Sequence, residues 1–76
     1  MGRMAGIHAE RMIRAFQRLG WQLVRSKGSH HALAKAGTPG VIIVPMHKGR
    51  TLVEDTARKI LKQAGVSEDE FFRAYR

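Results

Sequence analysis

This chain of 76 residues contains no cysteine, only six acidic residues and no long apolar run. Without cysteine, neither a disulfide framework nor a thiolate metal site is available to stabilise so small a domain. No apolar stretch approaches the roughly 18–20 residues that a membrane span requires. Residues 1–6 also lack the apolar segment of a signal peptide. We therefore expect a cytoplasmic protein, without a membrane anchor, that is stabilised by one hydrophobic core.

The sequence also lacks the residue patterns that several kinds of catalytic site require. The sequence contains no nucleotide-binding glycine motif, and no Ser-His-Asp arrangement can be argued from it. Five of the six acids fall at Glu54, Asp55 and residues 68–70, which are predicted helix starts rather than a carboxylate cluster for magnesium. We expect no metal and no small-molecule cofactor.

What the chain does have is positive charge. Fourteen lysines and arginines give a formal net charge of +8 at pH 7. Nine of them lie in residues 1–53, where Glu10 is the only acid. Such asymmetry favours a polyanionic or acidic partner. A membrane-surface helix would need its cations opposite a broad apolar stripe, but here much of the charge falls on predicted strands and loops. Nucleic acid is therefore the favoured partner.

The apolar pattern predicts an α+β fold in a single domain over residues 1–76. Apolar residues at helical spacing, capping residues and β-branched runs bounded by glycine and proline mark the elements. The predicted order is helix 7–19, strands 21–26, 30–35 and 41–44, helix 54–64, and a short last helix capped by Ser67 and Glu70. We expect a three-stranded antiparallel sheet covered on one face by helices. The other face is left open to solvent or to a ligand.

The segment Gly28-Ser29-His30-His31 places two imidazoles just after a predicted hairpin turn. Imidazole titrates near pH 6.5 in its unperturbed form, so it can exchange protons at neutral pH. Strand alternation puts His31 on the face of Leu33, which is the core, and His30 on the outer face. His30 is the candidate general acid or base, and the alternative is an exposed polar residue on a solvated sheet face.

Other polar residues near this turn are candidates for contact with RNA phosphates, with solvated turn and loop residues as the alternative. They are Lys27, Ser29, Lys35, His47, Lys48 and Arg50. His8 is interpreted as a surface residue. Zinc bound by His30, His31 and His47 is disfavoured, because adjacent strand residues point to opposite faces and no fourth ligand is apparent.

Four sequence blocks together resemble the HicA toxins. They are residues 19–25 (LGWQLVR), 27–31 (KGSHH), 44–49 (VPMHKG) and 60–66 (ILKQAGV). The resemblance covers about residues 10 to 72. It implies a double-stranded-RNA-binding-domain-like fold of order α-β-β-β-α, with a further helix here. It also implies a type II toxin that cleaves mRNA and arrests translation, with His30 as the catalytic histidine. A cognate HicB-type antitoxin would cover the active site.

Two segments depart from the usual HicA pattern. Residues 1–6 form a longer N-terminal extension, which we expect to be flexible, and the turn over residues 36–40 is unusual. Neither affects His30. Two alternatives to the nuclease remain: a non-catalytic RNA- or DNA-binding module that uses the basic sheet face, and an adaptor that docks an acidic partner.

Overall fold

A computed structural model describes residues 3–47 and 49–76. Three helices and three strands follow one another in the order α-β-β-β-α-α, which confirms the predicted α+β fold. The elements are α1 (Ala9–Arg18), β1 (Gln22–Lys27), β2 (His30–Ala34), β3 (Ile42–Pro45), α2 (Glu54–Ala64) and α3 (Glu68–Ala74). In the described ranges, no helix is long and apolar enough to cross a membrane.

The three strands form an antiparallel sheet in the order β1-β2-β3. A two-residue turn, Gly28-Ser29, joins β1 to β2 between the paired residues Lys27 and His30. Gly28 has a φ of 58°, and a positive φ at the first central position is what a type II′ hairpin turn requires. The turn therefore sets the β1–β2 register and starts β2 at His30.

The helices cover one face of the sheet. Alternate residues of two strands, Leu33 on β2 and Ile42 and Val44 on β3, are at most 1 % exposed and join the core cluster with residues of all three helices. Ile43, between the two buried β3 residues, is 37 % exposed. The sheet is therefore one-sided, as expected for an antiparallel sheet with helices on a single face.

The helix ends follow their capping residues. Gly65 ends α2 in the left-handed conformation with a φ of 71°, which glycine adopts without steric cost. At the start of α3, the Ser67 hydroxyl accepts a hydrogen bond from the Glu70 backbone N–H at 3.1 Å. This is the bond expected from the predicted capping box.

The N-terminal segment packs against the domain. We expect residues 1–6 to be flexible, and Met1 and Gly2 lie outside the described residues. Met4, however, has no exposed surface and belongs to the core. The Arg3 guanidinium lies 2.8 Å from the Asp69 carboxylate and 4.6 Å from the centre of the Phe72 ring. These contacts hold Arg3 against α3. The flexibility expected for residues 1–6 stays a prediction.

The Arg3–Asp69 pair should make a small, pH-dependent contribution to stability. The hydrogen bond and the charge of Arg3 lower the pKa of the Asp69 carboxyl. Because the carboxyl pKa is lower in the folded state, the pair stabilises the fold when the pH is above the ordinary carboxyl pKa of about 3.9. This contribution is lost as the pH falls through the lowered pKa. Asp69→Asn should therefore lower the melting temperature slightly at pH 7 and by less at pH 2. Because both side chains are exposed, 0.5 M salt should shrink the difference. A difference of equal size at both pH values would show that charge is not its cause.

Candidate active site on the open face of the sheet

The uncovered face of the sheet contains a groove. Its volume is about 400 Å³. Five residues from all three strands line it: Arg25, Lys27, His30, Ala32 and Ile43. His30, the candidate catalytic residue, thus shares one concave surface with two cations. We call this surface the sheet groove.

The strand register explains why these side chains meet. Ala32 pairs with Arg25 on one side and with Ile43 on the other. His30 pairs in the same way with Lys27 and Pro45. Directly paired residues have Cβ atoms about 5 Å apart, and two residues along a strand span about 7 Å. The groove is therefore built from two neighbouring rows of the sheet.

A β-bulge at Val24 places Arg25 in this groove. Leu23 pairs with Leu33 and Arg25 pairs with Ala32, so β1 advances two residues while β2 advances one. Strict alternation from Leu23 would turn Arg25 and Lys27 toward the helices, where unpaired cations are rarely buried. The extra residue resets the alternation, and both cations lie on the open face. Arg25 was not predicted as a site residue, because a bulge leaves no reliable signal in a single sequence.

The two histidines of the hairpin occupy different environments, as the alternation predicts. His30 is exposed in the groove. His31 is half-buried, and its Nδ1–H donates to the Ser29 carbonyl at 3.3 Å. His31 therefore has a hydrogen-bonded structural position, whereas the His30 ring is open to a ligand.

The floor of the sheet groove is apolar. Ala32 is only 3 % exposed, yet it is not part of the core cluster. Its small side chain lies between Arg25 and Ile43, its partners in the sheet, and these larger neighbours shield it. The sequence analysis did not single out Ala32 or Ile43 as site residues.

Positive charge dominates this part of the surface. No aspartate or glutamate occurs between residues 11 and 53, which include all three strands. Within the described residues, neither Arg25 nor Lys27 forms an ion pair. Both cations are exposed and available to an anionic ligand, and long-range attraction of a polyanion follows from such a one-sided charge distribution.

Two of the predicted phosphate contacts lie away from the groove lining. Ser29 is half-buried in the hairpin turn, where its carbonyl accepts the Met46 N–H at 2.6 Å. Lys35 follows the far end of β2, and its Cε would lie 3.4 Å from a Cβ placed on Gly20. Since Lys35 is five residues from His30 along an extended chain, about 17 Å separates them. Neither residue shares the concave surface of His30.

His47 and Arg50 lie together in a second, smaller cavity of about 180 Å³ beside the start of α2. Its lining also includes Pro45 and Thr56. Because Pro45 pairs with His30, the two cavities lie on neighbouring parts of the surface, but the structure does not bring His47 into the sheet groove. Lys48 lies outside the described residues.

The described residues contain no group of three histidine, aspartate or glutamate side chains that could hold a metal ion. A zinc site formed by His30, His31 and His47 would require these three side chains to converge. His30 and His31 alternate across the sheet, as adjacent strand residues do. His47 lines the other cavity.

Comparison with known proteins supports the resemblance carried by the four sequence blocks. A search of curated proteins gives no match. Residues 9–66 match the family described as the HicA toxin of bacterial toxin–antitoxin systems. The matched segment begins at α1, contains all three strands and ends just after α2, so it includes every residue of the sheet groove. This protein therefore belongs to the HicA toxin family.

Proposed function

We propose that this toxin is an endoribonuclease that cleaves mRNA with His30 as its catalytic histidine and so arrests translation. The observation that carries the proposal is the position of His30, which is exposed in a groove that it shares with Arg25 and Lys27 and that no acidic residue lines. A proton-transfer group beside unpaired cations suits the cleavage of a phosphodiester. Fold alone would support no more than binding.

RNA supplies the nucleophile for this reaction. The 2′-oxygen attacks the adjacent phosphorus, the bond from phosphorus to the 5′-oxygen breaks, and a 2′,3′-cyclic phosphate forms. His30 takes the proton from the 2′-hydroxyl, a role worth about 100- to 10,000-fold in rate. The departing 5′-oxygen takes its proton from water or from Lys27, which is paired directly with His30. The reaction needs neither metal nor cofactor.

The two cations of the groove stabilise the charge that develops on the phosphoryl oxygens. Lys27 is in the same row of the sheet as His30, and Arg25 is in the next row. An arginine can bind two phosphate oxygens at once through its planar guanidinium. A lysine supplies a compact charge near the departing 5′-oxygen. This division of roles adds Arg25 to the phosphate contacts predicted from the sequence.

A toxin of a toxin–antitoxin system is silenced by its antitoxin. We propose a HicB-type antitoxin that covers the sheet groove and keeps RNA away from His30. Two features support this surface. All six β1 residues are exposed, and the unpaired cations of the groove favour an acidic partner.

The test is cleavage of a defined RNA in the presence of EDTA, beside a copy with a single 2′-deoxy substitution at the cleaved position. We expect the all-ribose RNA to be cut and the deoxy copy to resist cleavage there, because the attacking oxygen is absent. Mass spectrometry of the fragments should show a 2′,3′-cyclic phosphate and a 5′-hydroxyl. RNA incubated without protein is the control.

The other outcomes separate the alternatives. Cleavage of the deoxy copy at the same position would exclude attack by the 2′-oxygen. Binding without cleavage would support the non-catalytic RNA- or DNA-binding module. Absence of RNA binding at physiological salt would support the adaptor that docks an acidic partner.

A further inference from the structure

We propose that the sheet groove binds one unpaired nucleotide of the substrate, with its base on Ala32 and Ile43 and its phosphate between Arg25 and Lys27. This inference rests on the proposed function, since it takes RNA as the ligand. It goes further by assigning the residues that receive the base. It also predicts which RNA conformation the toxin accepts.

The apolar floor is the first argument. Phosphate binding requires cations but no apolar surface, so Ala32 and Ile43 are unexplained by charge alone. Ile43 exposes 37 % of its surface on the open face, and Ala32 lies beside it as the paired residue of β2. Ile43 supplies the exposed apolar surface, and the small side chain of Ala32 leaves open space beside it. A nucleobase has a flat apolar face that such a surface can cover.

The arrangement of charge around the apolar floor is the second argument. Arg25 is the β1 partner of Ala32, and Lys27 is the β1 partner of His30. Both cations therefore lie on the β1 side of the groove, and Ile43 lies on the β3 side. A nucleotide placed across the sheet would have its phosphate toward β1 and its base toward β3. This polarity matches the two ends of a nucleotide.

Base stacking in a duplex excludes paired bases from this site. In an RNA duplex, each base is stacked on both faces and its face is unavailable to a protein surface. Only an unstacked base can enter the space over Ala32 and place its face against Ile43. The row that contains His30 is about 7 Å further along the strands, so a neighbouring residue of the same RNA strand can extend toward the imidazole. The geometry points to cleavage next to an unpaired nucleotide.

The test fills the floor of the groove without altering its charge. In Ala32→Leu, the added side chain projects from the open face rather than into the core. Ala34→Leu is the matched control, because Ala34 is on the same strand and the same face but does not line the groove. Thermal unfolding of both variants checks that the fold is kept.

Binding is measured by fluorescence anisotropy with two 2′-fluoro RNA probes, which lack the attacking hydroxyl. One is a short single strand and the other is a hairpin with the same number of phosphates, whose stem is closed by a non-nucleotide linker so that it contains no unpaired nucleotide. Ala32→Leu should weaken single-strand binding by about tenfold, which corresponds to losing the burial of roughly 55 Å² of apolar surface at about 25 cal/mol per Å². Hairpin binding by this variant, and both affinities of Ala34→Leu, should change by less than about twofold.

Every outcome decides the proposal. Equal loss of single-strand and hairpin binding in Ala32→Leu would overturn it, because phosphate attraction alone would then explain the affinity. Unchanged binding would also overturn it, as would a wild-type protein that binds neither probe. The nuclease is judged separately by wild-type cleavage of all-ribose RNA. If the wild type cuts RNA while Ala32→Leu binds both probes as well as the wild type does, the proposed function stands and the nucleotide site is wrong.

Discussion

Replacing His30 with alanine is expected to lower the rate of RNA cleavage by about 100- to 10,000-fold, the range of a lost general acid or base. RNA affinity and thermal stability should stay close to wild type. His30 is exposed, and its neighbours Arg25 and Lys27 keep the charge that attracts RNA. The measurement is the single-turnover rate on a defined RNA, with binding followed by anisotropy.

His8→Ala is the matched control for this experiment. His8 is also exposed, but it precedes α1 and does not line the sheet groove. This variant should cleave RNA at the wild-type rate. If His30→Ala retained more than about a tenth of wild-type activity, a role in proton transfer would be excluded. An equal loss in both variants would indicate a general effect on the fold.

Replacing Phe16 with alanine should remove a large part of the stability of the domain. Phe16 has no exposed surface, and its ring centre lies 5.9 Å from that of Trp21 and 5.8 Å from that of Phe71. It therefore connects α1 to the start of β1 and to α3. Phe→Ala in a core costs about 3–5 kcal/mol, whereas 76 residues at about 0.05–0.15 kcal/mol each give only about 4–11 kcal/mol.

Thermal or urea unfolding followed by circular dichroism measures this effect. The melting temperature of Phe16→Ala should fall by at least about 12 °C, and the variant is partly unfolded at 37 °C if the wild type is near the lower limit. Val41→Ala is the control, because Val41 is 47 % exposed and its loss should cost less than about 0.5 kcal/mol. Similar losses in both variants would show that the aromatic cluster is not the main source of stability.

The order of elements was predictable from the sequence because each element has a local signal. Helix 54–64 is bounded by Glu54 and Asp55 at its start and by Gly65 at its end, and the structure has the same bounds. The predicted strand 30–35 ends one residue earlier, at Ala34. Such ends depend on which backbone groups find partners in the folded sheet. Apolar spacing does not contain that information.

Part of the candidate site was predictable for the same reason. Alternation along β2 placed His30 on the open face and Leu33 in the core, and the structure confirms both positions. The cations were harder to place. Arg25 and Lys27 are two residues apart, which puts them on one face, but the sequence does not say which face. That depends on the bulge at Val24, a property of the β1–β2 pairing.

The loop residues show where sequence reasoning stops. His47 and Arg50 follow β3, and charge alone made them candidates for the same phosphate site as His30. In the structure they line the neighbouring cavity with Thr56 of α2. The path of the loop depends on contacts between distant segments, such as the hydrogen bond from Met46 N–H to the Ser29 carbonyl. No pattern within the loop predicts these contacts.

The bulge also determines where the chain can change length. If Val24 were absent, Leu23 would join Arg25 directly, and every residue pair of β1 and β2 could remain as it is, from Gln22 with Ala34 to Lys27 with His30. A deletion at this one position is compatible with an unchanged groove. A deletion between Arg25 and His30 would instead move one cation to the opposite face. Insertions and deletions in this hairpin should therefore be tolerated on the Val24 side of Arg25 and selected against on the His30 side.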